Sequence, residues 1–459
     1  MKSSFRVWSG LALAGSVTTL GAATFVRTQP EPSAQTQAVP RSSDVLGLLS
    51  AGEEKRRLVL DCTGCHTMGM EQAFPAGRAR TEQEWETIVT RMLGYAGATT
   101  RFPVIAERDP KATAAFLARH LPAPPRARAA APGAAAANVR EYLLPNPQDL
   151  PHDLQVLGDG RVLITGMMTD RMYLLNVESG AVDEVPVPVQ RANPRAVELA
   201  ANGDWWVLLG AANKVARYRP ASREWSSWDI GMYGHSIAID AERGRVWFNG
   251  HFTRDPSKIG YVDAATGEVR TLDAPRHPTL AARPGGPIPY ELRLGPDGTV
   301  WYSELQGNRI LGYAPASGEW RTFDMPTAAS GPRRFDVDAR GVLWIPGYSA
   351  NTLVRLDPAA PAARRFREYP LPIADAVPYV ARVDRASGRV WIGTSAADAV
   401  LVFNPATERF TTIHLPIRGA MIRHMAIDPK TRDVWLAYGA SPGIAARVAR
   451  VRLGAAPAG

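Results

Sequence analysis

Cysteine is nearly missing from this chain: Cys62 and Cys65 are its only two in 459 residues. That excludes a disulfide framework, which needs several pairs spread along the sequence. It also excludes a four-thiol zinc site, because no second cysteine pair exists. The two cysteines are not adjacent, so there is no vicinal disulfide of the kind found beside a pyrroloquinoline quinone. Blocks of lysine and arginine are absent as well, although Lys and Arg total 53 against 44 acidic residues, a formal charge of +9. Scattered basic residues argue against nucleic acid as a partner and leave a small anionic substrate as the alternative to a merely basic soluble protein. Beyond about residue 138, helical periodicity disappears.

The two cysteines fall in "RRLVLDCTGCHTMGM", residues 56–70. Cys-x-x-Cys-His is the attachment signature of covalent haem c, with the thiols forming thioethers and the following imidazole placed to ligate iron. A thioredoxin-like dithiol needs a βαβ setting that this sequence lacks. Cys62, Cys65 and His66 are therefore expected to hold haem c. The flanks read as three helices, the first in "VLGLLSAGEEKRRLVLDC", which is helix-compatible and leads into the motif. In "TEQEWETIVTRMLGY", Trp85, Ile88, Val89, Met92 and Leu93 recur at helical spacing, and Thr81 with Glu84 forms a capping box. "DPKATAAFLARHLP" is a further amphipathic helix, closed by Pro122. Residues 44–122 thus resemble a class I c-type cytochrome domain, and that resemblance implies an axial methionine, for which Met92 is the candidate.

The N-terminus carries Lys2 and Arg6 before an apolar run ending at Val26, the pattern of an export signal or of an uncleaved membrane anchor over residues 1–27. Residues 28–43 are Pro-, Gln- and Ser-rich, as in a flexible tether. Export places the chain in the periplasm, where an electron donor or acceptor would be its partner.

A Pro/Ala linker, residues 123–138, leads into a repeat. "GDGRVLITG", "ANGDWWVLL", "ERGRVWFNG", "PDGTVWYSE", "ARGVLWIPG", "ASGRVWIGT" and "KTRDVWLAY" carry one slot at Leu163, Trp206, Trp247, Trp301, Trp344, Trp391 and Trp435. Seven units of about 45 residues, each with room for four strands, predict a seven-bladed β-propeller over residues 139–455. The seventh unit lacks its last strand, and "REYLLP" at 140–145 is expected to supply it and close the ring. The fold class is mainly β: a propeller preceded by a small all-α cytochrome c domain.

The blade repeat, shown best in "PYELRLGPDGTVWYSELQGNRILGYAPASGEWRTFDMP", resembles the streptogramin (virginiamycin B) lyases over about 315 residues. In each blade, the start of the first strand and the position three after the Trp slot are expected to reach the channel mouth. The first position holds His152-Asp153, Arg195, His235-Ser236, Tyr290-Glu291, Arg333-Arg334, Tyr379 and Arg423-His424. The second holds Glu304 in the fourth blade. His152, Arg195, Arg334, Tyr379 and His424 are candidate substrate contacts. The resemblance implies a histidine base and a Mg²⁺ held by glutamates. His235 with His251 would serve as base, beside Tyr290, and Glu291 with Glu304 would hold the ion. Tyr290 departs from the histidine those lyases carry in the glutamate-bearing blade.

Three functions follow. A haem-containing oxidoreductase, with electrons passing between haem and a substrate at the propeller mouth, accounts for both halves. A Mg²⁺-dependent lyase leaves the haem unexplained, and a non-catalytic docking propeller leaves the polar mouth unexplained.

Overall fold

The computed structural model describes residues 39–131, 133, 137–280, 284–439 and 444–453. The segments expected to be an export signal or anchor, and most of the expected tether, lie outside the described residues. Among those described, no helix is long and apolar enough to cross a membrane.

The described chain begins with helices: α1 (Ser42–Leu46), α2 (Glu53–Cys62), α3 (Met70–Ala73), α4 (Glu82–Ala96) and α5 (Pro110–His120). The stretch before the cysteines breaks between α1 and α2, at "GLLSAG", because Gly52 has a φ of 143° that a helix cannot hold. The Thr81/Glu84 capping box forms at the start of α4. That helix buries Trp85 and Val89 against Leu58, Val59, Phe74, Phe116 and Leu117, while Met92 is half-buried.

Seven four-stranded antiparallel sheets follow, arranged as the blades of a propeller. Their first strands line the axis: β2 (Pro151–Val156), β6 (Pro194–Leu199), β10 (Gly234–Asp240), β14 (Pro289–Leu294), β18 (Asp336–Val337), β22 (Pro378–Val383) and β26 (Ile422–Ile427). The Trp slots lie in the second strand of each blade, and all are buried between blades. The seventh sheet is completed by β1 (Ala137–Leu143), which pairs antiparallel with β28 (Arg447–Leu453), Tyr142 opposite Val448. The ring closes by joining the two ends of its own chain, which leaves no gap between the first and seventh blades and only short strand edges on each blade. A four-residue helix, α6 (Ala362–Arg365), interrupts the fifth blade.

The helices sit on the ring. One apolar cluster runs from Leu58, Leu60 and Phe74 into Ile288, Tyr290, Leu305, Tyr348 and Tyr379 at the mouth of the channel. Polar contacts fix this seat: Gln306 Nε2 donates to Asp61 at 2.8 Å and to the Val104 carbonyl at 3.1 Å, and the Ser43 N–H donates to the Ala396 carbonyl at 2.8 Å. At Gly331, with φ of 65°, α2 comes so close that a Cβ there would lie 2.5 Å from Leu60 Cδ1.

Candidate functional site

The mouth residues are aimed inward by a shared backbone device. In six blades the pairing of first and second strands shifts register at the mouth, for example between Pro151 and Leu154 and between Pro289 and Leu292. A bulge turns a side chain out of the sheet's alternation. His152, Arg195, His235, Tyr290, Tyr379 and Arg423 all fall within these shifts. Arg333 and Arg334 take the equivalent place in the fifth blade, between the Pro332–Gly347 bridge and β18.

The result is a buried cluster of histidines, tyrosines and arginines. The His235 ring lies 4.0 Å from Tyr290, 4.6 Å from His251 and 5.4 Å from His152, centroid to centroid. Arg333 donates to the Tyr290 hydroxyl at 2.7 Å and stacks over Tyr348 at 3.8 Å. The Tyr290 and Tyr379 hydroxyls hydrogen-bond to each other. His251 Nδ1 donates to the Pro289 carbonyl at 2.8 Å, and His152 Nδ1 to the Arg195 carbonyl at 2.7 Å. Arg195 turns to the Tyr233 hydroxyl at 2.7 Å. One layer deeper, Arg334 pairs with Asp153 at 2.7 Å, and His424 Nε2 lies 3.7 Å from the same carboxylate.

Burial and the surrounding guanidinium groups, Arg195 and Arg334 in particular, push His152 down to about 3. Burial first, then Arg195, holds His235 and His251 well below the usual histidine range. Burial does the same to His424, against the pull of Asp153. These imidazoles are neutral at physiological pH, so each offers one N–H and one lone pair. The positive charge of the cluster resides on its arginines.

The channel mouth is closed. The Cys62–His66 turn lies over it: Arg423 Nη2 donates to the Cys65 carbonyl at 2.6 Å, and the Tyr348 hydroxyl donates to the Thr63 carbonyl at 2.8 Å. Gly64 passes so near Arg333 that a Cβ would come within 2.9 Å of its Nη2. Tyr348 was missed in the sequence. It stands one residue past the second position of its blade, where His251 stands in the third, so the same offset would have found it.

The haem-type residues are suited to that group by their chemistry. Cys62 is half-buried at the end of α2 and Cys65 is exposed, both as free thiols. Burial pushes the Cys62 thiol up to about 12, so it stands as a neutral thiol. His66 Nδ1 donates to the Thr67 carbonyl at 2.9 Å. That bond leaves Nε2 with the lone pair an iron ligand needs.

The two glutamates do not suit Mg²⁺. Glu291 faces Arg293 at 2.8 Å, Arg382 at 3.0 Å and Arg334 at 3.9 Å. Glu304 is paired with Arg309 and accepts from Ser257 at 2.5 Å. The structure does not bring the two together around a common partner, and a divalent cation at either would meet guanidinium charge. No group of three or more His, Cys, Asp or Glu placed to hold a metal ion occurs among the described residues.

Comparison with known proteins supports the architecture. The chain is similar in structure to the virginiamycin B lyase of Staphylococcus aureus, at 21% identity and a TM-score of 0.60, covering 70% of this chain and all of that one. A streptogramin B lyase structure matches at 20% identity and 0.60, covering 69% and 98%. The WD40 repeats of RRP9 match at 11% identity and 0.55, covering 71% and 100%. The likeness is one of fold: a virginiamycin B lyase-like seven-bladed propeller. No protein-family model and no curated protein matches the chain.

Proposed function

We propose that the chain is an exported c-type cytochrome fused to a substrate-binding propeller, acting as a periplasmic oxidoreductase. The observation that carries this reading is the seat of the Cys62–His66 turn, hydrogen-bonded to Arg423 and Tyr348 directly above the buried histidine–tyrosine–arginine cluster. Cys62 and Cys65 would hold haem c, and His66 Nε2 and Met92 would ligate its iron. Bound there, haem supplies a one-electron iron couple whose potential a methionine ligand raises. The protein's own part is positional. Arg423 and Tyr348 hold the turn over the channel, and the cluster beneath binds substrate away from bulk water. His152, Arg195, Arg334, Tyr379 and His424 are its candidate contacts. A periplasmic electron donor or acceptor completes the circuit, from a chain anchored or released at its N-terminus.

A Mg²⁺-dependent C–O elimination of the streptogramin lyase kind is the second reading, favoured by the likeness of the ring to those lyases. Its base would be His235, with His251 and Tyr290 adjacent. The arginine partners of Glu291 and Glu304 weigh against it.

Purified protein is expected to show a c-type haem spectrum that survives denaturation and acid extraction, lost in a Cys62→Ser/Cys65→Ser double variant. Met92→Ala is expected to abolish the near-infrared band of methionine-ligated ferric haem. Substrate-dependent reduction or oxidation of that haem supports the oxidoreductase. Full depsipeptide turnover by the double variant sinks it and establishes the lyase.

A further inference from the structure

Arginines at the channel mouth lack counter-charge. Arg333 is 1% exposed and Arg423 is 5% exposed. Neither, nor the half-buried Arg195, forms an ion pair with a carboxylate among the described residues. Their bonds go to neutral groups: Arg333 to Tyr290, Arg423 to the Cys65 carbonyl and Tyr379, Arg195 to Tyr233. A buried guanidinium is strongly disfavoured unless negative charge lies against it. The nearest carboxylate, Asp153, is already matched by Arg334, and Glu291 by Arg293 and Arg382.

The same spot collects hydrogen-bonding atoms with no partner. Both ring nitrogens of His235, fully buried, are unpartnered, as are His152 Nε2, Arg333 Nε and Nη2, and Arg423 Nε. Buried polar atoms are nearly always satisfied, so several orphaned ones around one point mark a ligand position. Arg333 lies 4.9 Å from the Tyr290 ring and 4.8 Å from that of Tyr379, and Tyr290 stacks on His235. The orphaned atoms therefore surround one region rather than scattering through the ring.

We infer that this cluster binds a small oxyanion, held by the Arg333 fork with the N–H of His235 and the one hydroxyl proton that the Tyr290–Tyr379 pair leaves free. A planar guanidinium matches paired oxygens and fixes their orientation. The neutral His235 imidazole adds one N–H donor without adding charge. Access comes from the opposite end of the ring, since the Cys62–His66 turn covers this one. There a cavity of about 340 Å³, lined by Gln155, Glu198, Arg293, Asp336 and Arg382, reaches His424 in the layer beneath the cluster.

The inference rests on the reading that this cluster is the substrate site, and it names the substrate class. Titration calorimetry of the haem-loaded protein with nitrite, sulfite and formate tests it. At least one of these is expected to bind with one-to-one stoichiometry. Arg333→Gln is expected to weaken binding about tenfold or more, the loss of one charge-assisted contact, while Arg340→Gln on the surface leaves it unchanged. Should Arg333→Gln fail to fold, His235→Phe, which keeps the ring and removes both orphaned nitrogens, decides in its place. No binding of any of the three overturns the inference, as it would if the haem's own carboxylates neutralised the arginines. Binding that both variants leave intact also overturns it. Oxyanion binding with no redox response of the haem upholds the site and removes the oxidoreductase reading. Haem turnover with an uncharged substrate, and no oxyanion binding, does the reverse.

Discussion

Tyr379 shows how far one residue's chemistry depends on its neighbours. Burial opposes ionisation of its phenol, but Arg423, Arg333 and Arg334 outweigh that and bring it down to about 8. Tyr290, hydrogen-bonded to it, is pushed the other way by its own burial. An acid whose folded value is depressed contributes stability above its unfolded value, and that contribution is lost as pH falls through the folded one. Ultraviolet titration is therefore expected to find one tyrosine ionising near pH 8, absent in Tyr379→Phe and moved upward in Arg423→Gln. Denaturant stability of wild type is expected to rise relative to Tyr379→Phe between about pH 8 and 10. A wild-type titration with no tyrosine below the ordinary range would remove the claim that guanidinium charge dominates this pocket. The residue types at the mouth were legible from the repeat alone. Their pKa order was not, because it depends on which arginine faces which phenol across different blades.

Among the elements, the best-anticipated were those with local signals. The capping box marked the start of α4, and the Trp slots marked the second strand of every blade, because both depend on residues a few positions apart. The break between α1 and α2 was not anticipated, since "VLGLLSAGEEKRRLVLDC" is helix-compatible and the conformation of Gly52 decides otherwise. The bulges were also hidden: they are defined by pairing between strands, although the recurrence of large polar residues there was their trace. Gly331 joins the two halves at this scale. Gly331→Ala imposes a φ of 65° on alanine and pushes its Cβ into Leu60. A loss of about 1–3 kcal/mol is expected, the cost of overpacking and backbone strain, measurable by denaturant unfolding. Gly388, also at positive φ but with no atom near its Cβ position, should cost less on the same substitution, and equal losses at both would mean that contact with α2 is immaterial.

For the whole molecule, what matters is that the helical segment closes one end of the ring. Arg423 and Tyr348 each bond a backbone carbonyl of the Cys62–His66 turn, and Lys55 pairs with Asp375 at 2.6 Å near the rim. If these bonds hold the cap, an Arg423→Ala/Tyr348→Phe variant loosens it without unfolding the blades. Limited proteolysis in the 123–131 linker is then expected to quicken severalfold, with the circular dichroism of the strands unchanged. Unaltered cleavage would show that the apolar cluster alone seats the helices.

Periodicity and spacing by themselves determined the seven blades, the strand exchanged between the chain ends, the helical segment ahead of them and the Cys-x-x-Cys-His signature. All are set by residues near one another in sequence, or by a repeat whose copies must stack to bury their tryptophans. Only the tertiary structure decided that the signature lies against the mouth of the channel, that the mouth is sealed, and that Glu291 and Glu304 face arginines rather than each other. Those outcomes follow from contacts between residues hundreds of positions apart, such as Cys65 with Arg423 and Thr63 with Tyr348. Such contacts leave no period in the sequence, because only ring closure and the docking of α2 bring them within hydrogen-bonding distance.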